Sequence, residues 1–491
     1  MTTTATLRMK LAQTEANIVT AKKFLEILNE NKTLLLQQLA IVATFPVLTL
    51  PVEITQEIFI QCLPFDQCRP FVTQVETHTP LTLLGVCREW RDIALSTPEL
   101  WAALSLHFDP VPSGVSAPKL NQVNAYIEKW LDRATNRPLS LCFERETDDD
   151  SVGECSFPPA RMGDIIRQYS SRIEYLELAL SQIDIGQLEL NDLKFPLLQR
   201  VSFGHVYGAD PDSDNPVEGF AHAPQLRSLC LEEYTSFEYY PFPSWQLTTF
   251  DGTISSMELF YITPNLLEAK CIVEHLHPLP TSAVHHPGLE FLTFTPNTDI
   301  PVDILPYLNL PSLRYLDVSE MEDATHPSLL AFLTRSAPPL TTLCIHADDG
   351  FADSQECISV VDATLENLEL ASPSRKVQDA ILRLGDVNYP LNQRIEPAKT
   401  SPCLLKLKAL SFLQSEGVDY DVLVRFLKKR YSGKDGIAKL ESFRLVWRYG
   451  TFLPTMLRSG PAGDPNSRTL RRLKEEGLDI HVGTNRKNHL H

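Results

Sequence analysis

The chain has 491 residues, 43% of them apolar, and a formal net charge of −18. That length exceeds a single compact core and suits about three domains. The apolar share excludes global disorder, no run reaches the roughly 18 apolar residues of a membrane helix, and the acidic balance argues against nucleic acid as the main partner.

The first segment, 1–46, reads as a heptad helix. Positions 11, 14, 18, 21, 25, 28, 32, 35, 39 and 42 alternate by threes and fours, and eight of the ten are apolar. Thr14 and Lys32 interrupt the seam. Such a stripe fits a coiled coil or a helical hairpin. Self-association through residues 7–45 and packing back onto its own domain are both open. Pro46 ends the helix.

Residues 47–106 form a different unit. Pro51 has the fixed φ of a helical first turn, and Glu53 sits near the positive end of the dipole. Ile54, Ile58 and the Cys62/Leu63 pair then share one face. A loop is predicted over 64–80, followed by one helical stretch carrying Leu81, Leu84, Cys87, Trp90, Ile93 and Ala94. A segment of about 50 residues cannot bury its own apolar faces, so neighbouring domains or another protein must cover it.

The ordered words Leu50-Pro51-x-Glu53-Ile54, Ile58-Phe59, Val86-Cys87-Arg88-Glu89-Trp90-Arg91-Asp92-Ile93-Ala94 and Pro98-x-Leu100-Trp101 resemble the F-box motif. The phrase Ala94-Leu95-Ser96-Thr97-Pro98, the heptad helix before the box, and the Trp130-Leu131-Asp132-Arg133 … Arg137-Pro138-Leu139-Ser140-Leu141 element after it are similar to the large F-box families of mushroom-forming fungi. The likeness covers roughly residues 10–143, and the 64–80 stretch departs from it, being longer than the usual link. It implies docking on a Skp-type adaptor, and through it on a cullin-type ubiquitin ligase. The residues so implicated are Leu50, Pro51, Ile54, Ile58, Leu63, Leu84, Val86, Cys87, Trp90 and Ile93. The alternative is that these side chains pack against the heptad helix and the next domain.

Residues 107–160 read as a connector, with a helix over 121–133, a strand over 139–143 and an acidic loop over 144–154. From 173 onward the unit apolar-x-x-apolar-x-apolar recurs. It appears as Ile173/Leu176/Leu178, Leu198/Val201/Phe203, Leu226/Leu229/Leu231, Leu289/Leu292/Phe294, Leu313/Leu316/Val318, Leu340/Leu343/Ile345, Leu365/Leu368/Leu370 and Leu440/Phe443/Leu445. Weaker copies start at Leu247, Leu266 and Leu407, and a proline often precedes the unit, as at Pro196, Pro224, Pro264, Pro287, Pro311 and Pro339. The expected fold is therefore α/β: a helix and a small all-helical box, then over 161–491 an irregular leucine-rich-repeat solenoid with parallel strands. A scatter of Leu-rich strands in an ordinary α/β domain is the competing reading. In each copy the residues flanking the apolar positions face the concave side. The candidates for binding a protein substrate are thus Tyr175, Glu177, Arg200, Glu232, Phe291, Tyr315, Asp317, His346, Glu369 and Arg444.

Residues 425–487 carry 15 Lys/Arg against 6 Asp/Glu, either a docking patch or the solvated faces of two helices. Signals for catalysis are absent from the sequence: neither a phosphate-cradling Gly-rich loop nor a Gly-x-Ser-x-Gly elbow occurs. Asp210-x-Asp212-x-Asp214 lacks the Gly and Glu of a calcium loop. His275, His277, His285 and His286 read as surface-loop histidines rather than metal ligands. No enzyme activity, cofactor or metal is expected. Ten cysteines without a Cys-x-x-Cys pair fit free thiols in a reducing compartment, and without a leader-like start the expected location is cytoplasmic or nuclear. The expected function is a ubiquitin-ligase substrate receptor, with a leucine-rich-repeat interaction scaffold lacking any ligase role as the alternative.

Overall fold

The computed structural model describes residues 4–42, 50–63, 79–108, 117–145, 158–204, 218–231, 241–273, 280–296, 303–319, 326–347, 355–384, 404–415, 417–433, 437–447, 465–484, 487–488 and 490. The protein is a mixed helix-and-strand chain with a long N-terminal helix and one long parallel sheet. It divides into two compact units, residues 1–101 with 132–135, and residues 102–131 with 136–491.

In the first unit, helix α1 covers Thr4–Val42. The heptad stripe lies along it with no cover: none of its described side chains is buried. Among those described side chains, packing back onto the rest of the domain is not seen. Three short helices follow, α2 (Val52–Gln61), α3 (Thr79–Val86) and α4 (Arg88–Leu95), closed by a 3₁₀ turn over Pro98–Trp101. The sequence reads α3 and α4 as one helix, but Cys87 takes an extended conformation (φ −155°) and breaks it. Its sulfur accepts the backbone N–H of Trp90 at 3.4 Å, so a thiol serves as the cap of α4. Sulfur is a weak acceptor and seldom used this way, which is why the break is hard to foresee.

The second unit is built on a fifteen-stranded sheet in which each strand lies beside the next member of that sheet, while two short strands, Val284–His285 and Leu308–Asn309, pair with each other apart from it. It opens with Ala103–Phe108 and Leu139–Arg145, both inside the segments expected as box and connector, and it ends with Asp479–Thr484 and the antiparallel Lys487–Asn488. Every other pairing is parallel. All eight clear copies and the three weaker ones form strands at the expected places, the weaker ones as Thr249–Ile254, Glu268–Val273 and Ala409–Ser415.

Register explains the core. Leu176, Val201, Leu229, Phe250, Ala269 and Leu292 occupy one line across neighbouring strands, and Leu178, Phe203, Leu231, Gly252, Cys271 and Phe294 the line two residues on. With a side-chain period of two, both lines face the same side. All of them are buried, each large side chain contributing about 1.5–3 kcal/mol. The connecting segments cover that side: Phe195, Phe220 and Phe242, from three successive connections, stack at 5.5–5.9 Å, and Phe203 meets Phe220 edge-on at 5.7 Å.

The prolines have a local role. In Phe195-Pro196-Leu197-Leu198 the Leu198 N–H returns to the Phe195 carbonyl, and the same turn recurs at Leu226 to Ala223, Leu266 to Thr263 and Leu313 to Leu310. Proline sits second in each turn, where its fixed φ is the one required. The residue after the turn leucine then bonds across to its counterpart in the previous unit, as in Arg227 N–H to Gln199, Glu290 to Leu267, Arg314 to Glu290 and Thr341 to Arg314. The backbone of one unit thereby places the next.

One arginine of the basic end departs from a solvated face. Arg430, on the helix Tyr420–Ser432, is buried, donates to the Leu404 carbonyl at 2.8 Å and lies 5.6 Å from the Phe426 ring.

Candidate functional site

Two surfaces carry the candidate residues. The first is the α2–α4 group. Its interior is made of Thr55, Phe59, Leu83, Ala94, Leu100 and Trp101, all buried. Phe59 and Trp90 rings meet at 4.9 Å, the Trp101 indole donates to the Ala94 carbonyl at 2.8 Å, and the Arg133 guanidinium lies 4.5 Å from the Trp101 ring. Those contacts tie α2, α4 and the closing 3₁₀ turn together from inside. They leave Pro51, Ile54, Ile58 and Val86 exposed, with Ile54 at 49% and Ile58 at 41% of full accessibility. Leu50, Leu63, Leu84, Cys87, Trp90 and Ile93 are half-buried. Of the ten adaptor candidates none is fully buried. Val52, beside them and 45% exposed, escaped the sequence reading because it fills the variable position of the Leu-Pro-x-Glu-Ile word.

The second surface is the sheet face opposite the core. Parallel register gathers onto it Glu177, Ser202, Cys230, Asp251, Lys270, Thr293, Asp317, Cys344, Glu369, Ser411, Arg444 and His481 as one continuous row. A second row, two residues earlier, carries Tyr175, Arg200, Phe291, Tyr315 and Asn367. Asp251, Lys270 and His481 belong to weaker or terminal strands, and the alternation Leu478-x-Ile480-x-Val482 is the signal that marks the last of these. Glu232, His275, His277 and the Asp210–Asp214 stretch lie outside the described residues.

Two tyrosine–acid pairs punctuate this face. The Tyr315 hydroxyl donates to Asp317 at 3.3 Å, Phe291 lies beside the Tyr315 ring at 6.1 Å, and the Asn367 amide donates to Thr342 at 2.9 Å. Phe291, Arg200 and Arg444 are exposed; Tyr315, Asp317, His346 and Glu369 are half-buried. Burial first, and then the charge of Asp317, holds the Glu369 carboxyl above its ordinary value, with Arg444 acting in the opposite sense. Burial, then Asp317 and Glu369, pushes the Cys344 thiol up to about 12, so it stays protonated and is no nucleophile. At the other pair, the Tyr175 hydroxyl donates to Glu177 at 2.5 Å. Contrary to the expected solvated positions, Tyr175 and Glu177 are only 8% and 3% exposed. They face the open side yet are covered there, so they stabilise the face rather than offering it to a partner.

In the histidine segment His285 is exposed, as expected, but His286 is not. His286 is buried; its Nε2 donates to the Thr263 carbonyl at 2.9 Å and its Nδ1 accepts the Leu289 N–H at 3.1 Å. Both ring nitrogens are engaged, which leaves no lone pair for a metal. Among the described residues no group of three or more His, Cys, Asp or Glu side chains is placed to hold a metal ion, and no helix is long and apolar enough to cross a membrane. No protein-family model matches the chain, and no curated protein matches it.

Proposed function

We propose that the chain is an F-box substrate receptor of a cullin-type ubiquitin ligase, the α2–α4 group docking a Skp-type adaptor and the open sheet face binding a protein substrate. One observation carries this reading: α2 turns Phe59 inward against Trp90 and leaves Ile54 and Ile58 outward, at the positions the F-box resemblance assigns to the adaptor. Apolar side chains held rigidly in solvent lose nothing on docking and gain the burial of their area. The chain's part in the reaction is tethering, which raises the local concentration of substrate lysines at a conjugating enzyme. The face around Phe291, Tyr315 and Arg444 carries residue types that protein interfaces enrich, beside the acids Asp317 and Glu369.

The test is co-purification of the full chain with a Skp-type adaptor. Wild type retains the adaptor, and Ile54→Asp with Ile58→Asp loses it at an unchanged melting temperature, because both positions are exposed. Failure of the folded wild type to bind overturns the ligase role. The sheet face does not depend on that outcome, and its row of partner-competent side chains then supports the second reading, a leucine-rich-repeat interaction scaffold.

A further inference from the structure

Helix α1 spans 39 residues, about 58 Å at 1.5 Å per residue, and carries twelve large apolar side chains that are exposed. Most helical stability in proteins comes from burying such a face, so a bare one of this length calls for a partner. The order of residues along the seam says which. Over residues 11–35 of the seam, Leu11, Ile18, Leu25, Leu28 and Leu35 are the large apolar members, Ala21 the small one, and Thr14 and Lys32 the polar interruptions. Reflected about residue 23, the polar and apolar positions of this 11–35 stretch are unchanged: 11 maps to 35, 14 to 32, 18 to 28 and 21 to 25, while the outer seam positions Leu39 and Val42 map to Leu7 and Thr4.

A seam that reads the same in both directions is what an isologous two-fold interface requires, since residue i meets j and j meets i. We propose that α1 pairs with α1 of a second copy of this chain, antiparallel, in the register that sets Thr14 against Lys32 of the partner subunit. In this register the two polar positions share one layer and every other layer of the 11–35 stretch is apolar on both sides, Leu11 with the partner's Leu35 and Ile18 with the partner's Leu28, while small Ala21 admits the partner's Leu25. A shift of one heptad either way buries Lys32 and Thr14 against apolar side chains. Parallel pairing sets Lys32 against its own copy, two ammonium groups in an apolar seam. Phe24, exposed beside the dyad, meets the partner's Phe24. Lys22 faces its own copy on the solvated edge, a like-charge contact that salt screens.

Sedimentation equilibrium of the full chain tests the pairing and its orientation together. Wild type dimerises. Thr14→Glu tightens the dimer about five-fold through two symmetry-related contacts with Lys32, and Thr14→Lys weakens it at least as much. Parallel helices predict weakening by both substitutions, and that result overturns the proposal. So does a chain that stays monomeric at tens of micromolar with its helix content intact by circular dichroism. A second measurement is independent of affinity: mixed Thr14→Cys and Lys32→Cys chains, oxidised and mapped by peptide mass, give the 14–32 disulfide in excess over 14–14 and 32–32, and the reverse excess overturns the register.

Discussion

The imidazole of His286 takes the place of a backbone carbonyl: its Nδ1 receives the Leu289 N–H that elsewhere goes to the first residue of the X-Pro-x-Leu turn. Its Nε2 meanwhile donates to Thr263, whose carbonyl also accepts the Leu266 N–H of its own turn. One side chain thus closes a turn and ties it to the preceding one. His286→Leu leaves a buried N–H and a carbonyl short of partners, and a loss of about 2–4 kcal/mol in chemical denaturation is expected. His286→Asn keeps an acceptor for Leu289 but cannot reach Thr263, so it loses about half as much. Equal losses for the two variants would count against this division of labour.

Gly252 occupies a core line in which its neighbours are Leu231 and Cys271. Its φ is +155°, and a Cβ there would stand 2.2 Å from the Leu231 carbonyl oxygen. Gly252→Ala therefore forces two strands apart at the centre of the sheet. A destabilisation of about 2–3 kcal/mol is expected from thermal melts, against little effect for Gly186→Ala, where a Cβ meets nothing within 4 Å.

Tyr175 and Glu177 form a covered hydrogen bond on a face that is otherwise open. Tyr175→Phe takes the hydroxyl from a buried carboxylate, with an expected cost of about 1.5–3 kcal/mol. Tyr315→Phe, where Asp317 remains partly in water, costs less than 1 kcal/mol by the same measurement.

Glu369 gives the face a pH dependence. Its folded carboxyl titrates above the ordinary 4.5, so between that pH and its folded value the native chain holds a proton the unfolded chain has released. Stability from this group accordingly falls as pH rises through that window. Glu369→Gln removes the loss: its denaturation midpoint should match wild type near pH 4 and exceed it at pH 7. A difference that is constant across the range would show that Glu369 does not titrate as described. Asp251 and Asp303, shifted upward mainly by burial, keep part of the slope in the variant.

Much of the sheet is legible in the sequence because two local signals coincide at each copy, leucines at period two and a proline at the turn that launches them. Where one signal fades, as before Ala103–Phe108 and Asp479–Thr484, a strand exists without being foreseen, its pairing supplied by a neighbour already in place. Side-chain direction follows from alternation, so the open-face rows are readable too. Cover is not: Glu177 and Arg444 occupy the same row, one buried and one exposed, and the difference depends on what lies over each rather than on the strand itself. The capping sulfur of Cys87 and the turn-closing ring of His286 were hidden for a related reason, since each side chain substitutes for a more usual acceptor.

The pairing of each strand of the long sheet with the sheet members before and after it has a consequence for ancestry. Duplication or loss of one whole module changes only the two junctions beside it and leaves every other lateral contact as it was. Such a protein can lengthen or shorten its open sheet face in single steps without redesigning the remainder, so descendants of one gene can diverge in reach as readily as in side chains.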